Sequence, residues 1–169
     1  MGDKIRLGIS SCLLGQRVRY DGGHQQDRSL AGTLGRLFDL VPVCPEVEAG
    51  LGVPREPMRL VGGPGRLRLI TVDTGIDLTA KVDGWARNRL KQLRDEELSG
   101  FIFKGGSPSC RLAGGIFARV FMDTFPLAPV EEDDRLGDLA VRKDFIERVY
   151  VFSRRRQTMP GKQERTPLS

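Results

Sequence analysis

Gly100-Phe101-Ile102-Phe103-Lys104-Gly105-Gly106-Ser107-Pro108-Ser109-Cys110 reads as a short buried strand that opens at once into a loop of glycine, serine and proline. An apolar run of this length, bounded by glycine on both sides, is a strand signal rather than a helix signal. The same plan occurs twice upstream. Ile5 to Ile9 reads as a strand leading into Ser10-Ser11-Cys12, and Leu40 to Val43 as a strand closed by Cys44-Pro45. Proline ends the latter because it has no N–H to donate to a ladder.

Amphipathic stretches lie between these runs. Leu30 to Phe38 fits a short helix. Leu78 to Leu98 is the clearest helix, with Val82, Trp85, Leu90, Leu93 and Leu98 roughly on one face and Thr79 as its cap. Gly115 to Phe125 and Val141 to Phe152 suit two more, the second carrying Phe145, Val149 and Phe152. Glu46 to Arg55 is broken by glycines and reads as a loop or a single helical turn. Leu67 to Thr71 reads as strand around an Asp73-Thr74-Gly75 turn, and Ala128 to Val130 as a last strand. Short strands alternating with helices predict an α/β layered domain, with a mostly parallel sheet flanked by helices. Residues 1–156 are expected to form that single domain, and the polar segment 157–169, with Pro160 and Gly161, a disordered tail. No internal repeat is visible.

The 169 residues are 39% hydrophobic and 29% charged, the composition of an ordinary globule. No run approaches the roughly 18–20 apolar residues of a membrane span. Met1-Gly2-Asp3-Lys4-Ile5 has no secretory signature, so a cytoplasmic setting, where thiols stay reduced, is the expectation. The net charge is +5. Much of the excess lies at Arg59, Arg66 and Arg68, at Arg87, Arg89 and Lys91, and at Arg154-Arg155-Arg156. Such a surface favours phosphate-bearing partners such as tRNA or nucleotides, or is simply solvated.

The chain has three cysteines, Cys12, Cys44 and Cys110, and each stands at a strand-to-loop exit. In parallel α/β sheets ligand sites form at such exits, so three thiols can converge on one point. An odd number cannot pair off completely as disulfides. Three thiolates with a fourth position open suit a catalytic metal or an iron–sulfur centre, and soft sulfur donors select zinc, copper(I) or iron–sulfur clusters. The long separations exclude the CxxC pairs of zinc fingers. His24, the sole histidine, is a possible fourth ligand, although a polar loop residue is the commoner role.

Groups suited to proton transfer flank the thiols. Glu46, two residues beyond Cys44, is a candidate general base; Glu48 is expected to be a surface carboxylate. Ser107 can donate to a substrate or relay a proton, and Ser109 reads equally as a turn former or a functional hydroxyl. Asp21, Gly22 and Gly23 can present backbone donors to a ligand, or form only a tight turn. There is no P-loop and no dinucleotide fingerprint. A cysteine nucleophile would have only His24 as its histidine partner.

Ser11-Cys12-Leu13-Leu14-Gly15, Val18-Arg19-Tyr20-Asp21-Gly22-Gly23-His24, Cys44-Pro45-Glu46-Val47-Glu48, Gly50 to Pro57, Gly100 to Lys104 and Ser107-Pro108-Ser109-Cys110 together resemble the signature of the TudS-type thiouracil desulfidases. The resemblance runs in order from about Ile5 to Cys110. It implies a Rossmann-like α/β domain that binds a 4Fe-4S cluster on Cys12, Cys44 and Cys110, with the fourth iron left for the substrate sulfur. It also implies non-redox, hydrolytic conversion of a thiolated pyrimidine to the oxo base with release of hydrogen sulfide. Glu46 would accept the proton and Ser107 assist its transfer, with Asp21, Gly22, Gly23 and Ser109 on the substrate. The C-terminal part resembles a longer branch that acts on thiouridine in tRNA. The further domain of that branch does not follow before Ser169, which turns the expectation toward a small thiolated base or nucleoside. Arg111-Leu112-Ala113-Gly114 is also a shorter connection than the family's. The alternatives are a non-catalytic metal- or redox-sensing module and an RNA-binding accessory domain with a structural metal.

Overall fold

A computed structural model describes residues 3–23 and 26–158. The strands are β1 (Arg6–Ser10), β2 (Asp39–Val43), β3 (Met58–Val61), β4 (Arg68–Thr71), β5 (Phe101–Phe103) and β6 (Val130–Glu132). The α-helices are α1 (Arg28–Leu37), α2 (Pro45–Glu48), α3 (Thr79–Asp95), α4 (Ile116–Thr124) and α5 (Leu139–Thr158). Four strands form one parallel sheet in the order β2-β1-β5-β6, and β3-β4 pair antiparallel in a second, smaller sheet. The α/β fold with a parallel main sheet agrees with the expectation from sequence. Pro42 is tolerated in β2 because that strand lies at the sheet edge, where one N–H row has no partner to serve.

Helices cover both faces of the main sheet. Leu7, Ile9 and Ile102 pack with Leu30 and Leu34 of α1 and with Phe145 and Val149 of α5. Val43, Phe101 and Phe103 pack on the opposite side with Ala86, Leu90 and Leu93 of α3 and Phe117 and Phe121 of α4. Phe101 stacks on Phe103 at 4.4 Å between centroids and meets the edge of Phe117 at 5.4 Å. The Phe101 ring lies over Gly8 of the neighbouring strand, so closely that a Cβ there would stand 2.2 Å from Cδ2. A glycine in this strand interior is therefore a packing requirement.

Several boundaries differ from the sequence reading. The partner of β4 is upstream, β3, which local pattern does not announce; beyond the Asp73-Thr74-Gly75 turn only a single Ile70–Asp77 bridge forms. Thr79 does not cap α3. Its hydroxyl accepts the Leu69 N–H at 2.8 Å, tying β4 to the helix, and Asp77 accepts the Thr79 N–H at 2.9 Å instead. The helix ends at Asp95, yet Leu98 remains buried beyond it. β6 begins at Val130 because Pro129 lacks a donor; its carbonyl accepts the Phe101 N–H at 3.1 Å. α5 starts earlier than expected, where Asp138 accepts the Ala140 and Val141 N–H groups at 2.8 and 3.3 Å. It also runs on to Thr158, with Arg156 donating to Leu98 O at 2.7 Å and Ser99 Oγ at 2.9 Å. The rest of the expected tail, 159–169, lies outside the described residues, as does His24. Among the described residues no helix is long and apolar enough to cross a membrane.

Candidate active site

Parallel pairing puts the carboxyl ends of β1, β2 and β5 on one edge of the sheet. Ser10 pairs with Val43, and Ile9 with Ile102, so three consecutive exits lie side by side. They open into one cavity of about 400 Å³ whose lining includes Cys12, Cys44, Glu46, Ser107, Ser109 and Cys110. Six residues singled out from sequence therefore share one space, between the β1, β2 and β5 loops.

Each thiol arrives by a different local device. Ser11–Leu14 forms a single 3-10 turn closed by Gly15, whose φ of 88° lets its N–H reach Cys12 O at 3.2 Å. Cys44 is the residue before α2, with Pro45 occupying the first helical position. Cys110 ends a tight loop in which its N–H donates to Ser107 Oγ at 3.3 Å and the Arg111 N–H to Ser107 O at 2.9 Å. The short 111–114 connection works because Gly115 sits against that loop. A Cβ there would stand 2.5 Å from Arg111 O and 2.8 Å from Ser109 O, while the Phe117 N–H donates to Ser109 O at 3.0 Å.

All three cysteines are free thiols. Burial is the main cause that pushes the Cys12 thiol up to about 11, with the neighbouring Cys44 adding to it and Lys104 and Arg19 opposing. Burial likewise raises Cys44, and pushes Cys110 up to about 12. Such a pocket disfavours thiolates until a cation compensates them. Among the described residues no three His, Cys, Asp or Glu side chains approach closely enough to hold one metal ion together. Three soft sulfur donors lining one cavity are nonetheless the donor type that an iron–sulfur centre takes.

Glu46 and Glu48 diverge because residues two apart on a helical turn lie roughly 200° apart. Glu48 turns back to accept the Cys44 N–H at 2.8 Å and pairs with Arg89 at 3.0 Å, outside the cavity lining. Glu46 turns inward. Its Oε1 accepts the Ser109 hydroxyl at 2.8 Å, and Ser109 Oγ lies 3.2 Å from Ser107 Oγ. The two serines and the carboxylate thus form one hydroxyl chain. Glu46 Oε2 is gripped by Arg55, whose Nε donates at 2.8 Å and whose Nη2 also donates to it. Pairing and hydrogen bonding offset the cost of burying this carboxylate.

Asp21, Gly22 and Gly23 form a self-contained turn. Asp21 Oδ1 accepts the Gly23 N–H at 2.8 Å, and the Gly22 N–H donates to Arg19 O at 2.9 Å. These three are not part of the cavity lining; the preceding Val18, Arg19 and Tyr20 are. The sequence reading missed those wall residues, together with Pro57, Met58 and Lys104. It also gave no role to Arg55, although the Gly50 to Pro57 segment that helps to carry the resemblance contains it. Lys104 pairs with Asp133 at 3.3 Å at the end of β5.

The 2-thiouracil desulfurase family model matches residues 7–133. The uncharacterized protein YbbK of Bacillus subtilis (strain 168) is 34% identical over 110 residues, spanning 60% of this chain and 70% of YbbK. Among solved structures, the 4Fe-4S-dependent thiouracil desulfidase TudS superposes with a TM-score of 0.63 at 29% identity. The match covers 85% of this chain and 99% of that one. The match of the family model extends over all three cysteines, Glu46 and both serines, and the chain belongs to the 2-thiouracil desulfurase family.

Proposed function

We propose that this chain hydrolytically desulfurises a small thiolated pyrimidine, giving the oxo base and hydrogen sulfide without net redox change. The observation that carries the reading is the meeting of Cys12, Cys44 and Cys110 with the Glu46–Ser109–Ser107 chain in one cavity. Cys12, Cys44 and Cys110 would hold a 4Fe-4S cluster, which supplies Lewis acidity toward the thiocarbonyl when bound. The protein's own groups move the protons. Glu46 accepts a proton from the attacking water as that oxygen adds to the thiolated carbon. Ser109 and Ser107 carry that proton from the carboxyl toward the departing sulfur. As the carbon–sulfur bond breaks, the hydroxyl left by the water gives up its remaining proton to become the carbonyl of the oxo base. The sulfur, with both water protons, is released as hydrogen sulfide. Val18, Tyr20, Pro57 and Met58 give the cavity walls an apolar component that limits stray water.

A cavity of about 400 Å³ has room for a single thiolated base, and we take a free base or nucleoside, such as 4-thiouracil or 4-thiouridine, as its substrate. A reducing, cytoplasmic setting fits three free thiols. Anaerobically prepared protein should contain iron and acid-labile sulfide and release sulfide from 4-thiouracil. Glu46→Gln should keep the iron and lose the release. A colourless zinc protein without iron would sink the desulfidase reading in favour of a structural-metal module. Turnover of thiolated tRNA at the expense of the free base would move the substrate to RNA.

A further inference from the structure

We propose that Arg55 is the positioning residue of this site: one guanidinium orients Glu46 and fastens the segment after β1 that walls the cavity. The inference rests on the reading of Glu46 as proton acceptor. The Arg55 side chain is only 7% exposed, and its donors are spread over three segments. Nε and Nη2 donate to Glu46 Oε2, Nη2 also donates to Val18 O at 2.7 Å, and Nη1 donates to Gly52 O at 2.8 Å. The Arg55 backbone N–H adds a bond to Tyr20 O at 2.7 Å. Val18 and Tyr20 are cavity walls, and Val18 O lies 4.0 Å from Cys44 Sγ.

This arrangement has a chemical consequence. Because Arg55 holds Oε2, the other carboxylate oxygen, Oε1, is the one presented to Ser109 and through it to Ser107. Rotation of the carboxylate would break the chain, and Arg55 prevents it. A lysine could not replace this fork, since a single ammonium cannot serve a carboxylate and two carbonyls in one plane.

The test uses full-length protein, 4-thiouracil as substrate, and the variants Arg55→Ala and Arg55→Lys, each checked for iron content. Arg55→Ala should lose about 10²-fold in kcat, the lower range of general acid–base catalysis, with a smaller change in KM. Millimolar guanidinium should restore part of that loss, whereas methylammonium should not. Arg55→Ala should also speed trypsin cleavage after Arg17 and Arg19 relative to the unaltered protein. Unchanged kcat in Arg55→Ala overturns the proposal, as does full activity in Arg55→Lys, which also decides the matter if the alanine variant does not fold. Equal rescue by methylammonium overturns the requirement for a fork. If the unaltered protein releases no sulfide, the desulfidase reading fails on its own, and the trypsin experiment still judges the hold of Arg55 on the wall.

Discussion

Replacing Ser109 with alanine should slow catalysis at least as much as replacing Ser107, and the double variant should be no slower than Ser109→Ala alone. Ser109 is the middle of the chain: it donates to Glu46 Oε1 at 2.8 Å and stands 3.2 Å from Ser107 Oγ. A hydrogen bond to a charged group contributes about 1.5–3 kcal/mol. If that is fully expressed in the transition state, at about 1.36 kcal/mol per decade, Ser109→Ala loses about 10- to 160-fold in kcat. Ser107→Ala removes a neutral hydroxyl contact and the acceptor of the Cys110 N–H, worth about 0.5–1.5 kcal/mol each, and also cuts the relay. Two cuts in one series chain do the damage of one, so the effects should fall well short of additive. The assay is sulfide release from 4-thiouracil by anaerobic protein of matched iron content, with kcat and KM measured for the two single variants and the double. Full activity in Ser109→Ala would falsify the chain. Multiplicative losses in the double variant would show that the two hydroxyls act independently.

Three further outcomes follow from the same geometry. Gly8→Ala should destabilise the protein by about 1–3 kcal/mol, because Phe101, fully buried among Phe103, Phe117 and Phe121, cannot vacate the space a Cβ needs; an unchanged thermal midpoint would show that the ring is free to move. In metal-free protein the raised Cys12 thiol contributes stability below its ordinary value of 9.0 that is lost as pH rises through about 11, since the unfolded chain releases that proton first. The gap in melting temperature between the unaltered protein and Cys12→Ser should therefore change across that window, and a constant gap would contradict the burial argument. Glu48→Gln keeps an acceptor for the Cys44 N–H and removes only a half-exposed ion pair with Arg89, so it should cost at most about 1 kcal/mol and preserve sulfide release; a loss as deep as that of Glu46→Gln would reverse the roles of the two carboxylates.

Three strand ends, the main helices and the cysteine positions were legible from the chain alone, because each is written in a few consecutive residues. Phe101-Ile102-Phe103 before Gly105-Gly106 and Val43 before Cys44-Pro45 are local apolar-to-breaker transitions, and the face of Val82, Leu90 and Leu93 is a local period. The motif residues also carried the family. Tertiary structure alone decided the rest. The pairing of β3 with β4, the use of the Thr79 hydroxyl by Leu69, and the start of β6 after Pro129 all depend on partners that local pattern cannot name. So does the order within the site. Ser109 rather than Ser107 touches Glu46, 63 positions away, and Arg55 reaches Glu46 and Val18 from nine and 37 positions away. Sequence determined which side chains can do the chemistry, since that is a property of residue type. The register of the parallel strands decided which of them meet, because hydrogen bonds between side chains depend on distances that only the folded sheet imposes.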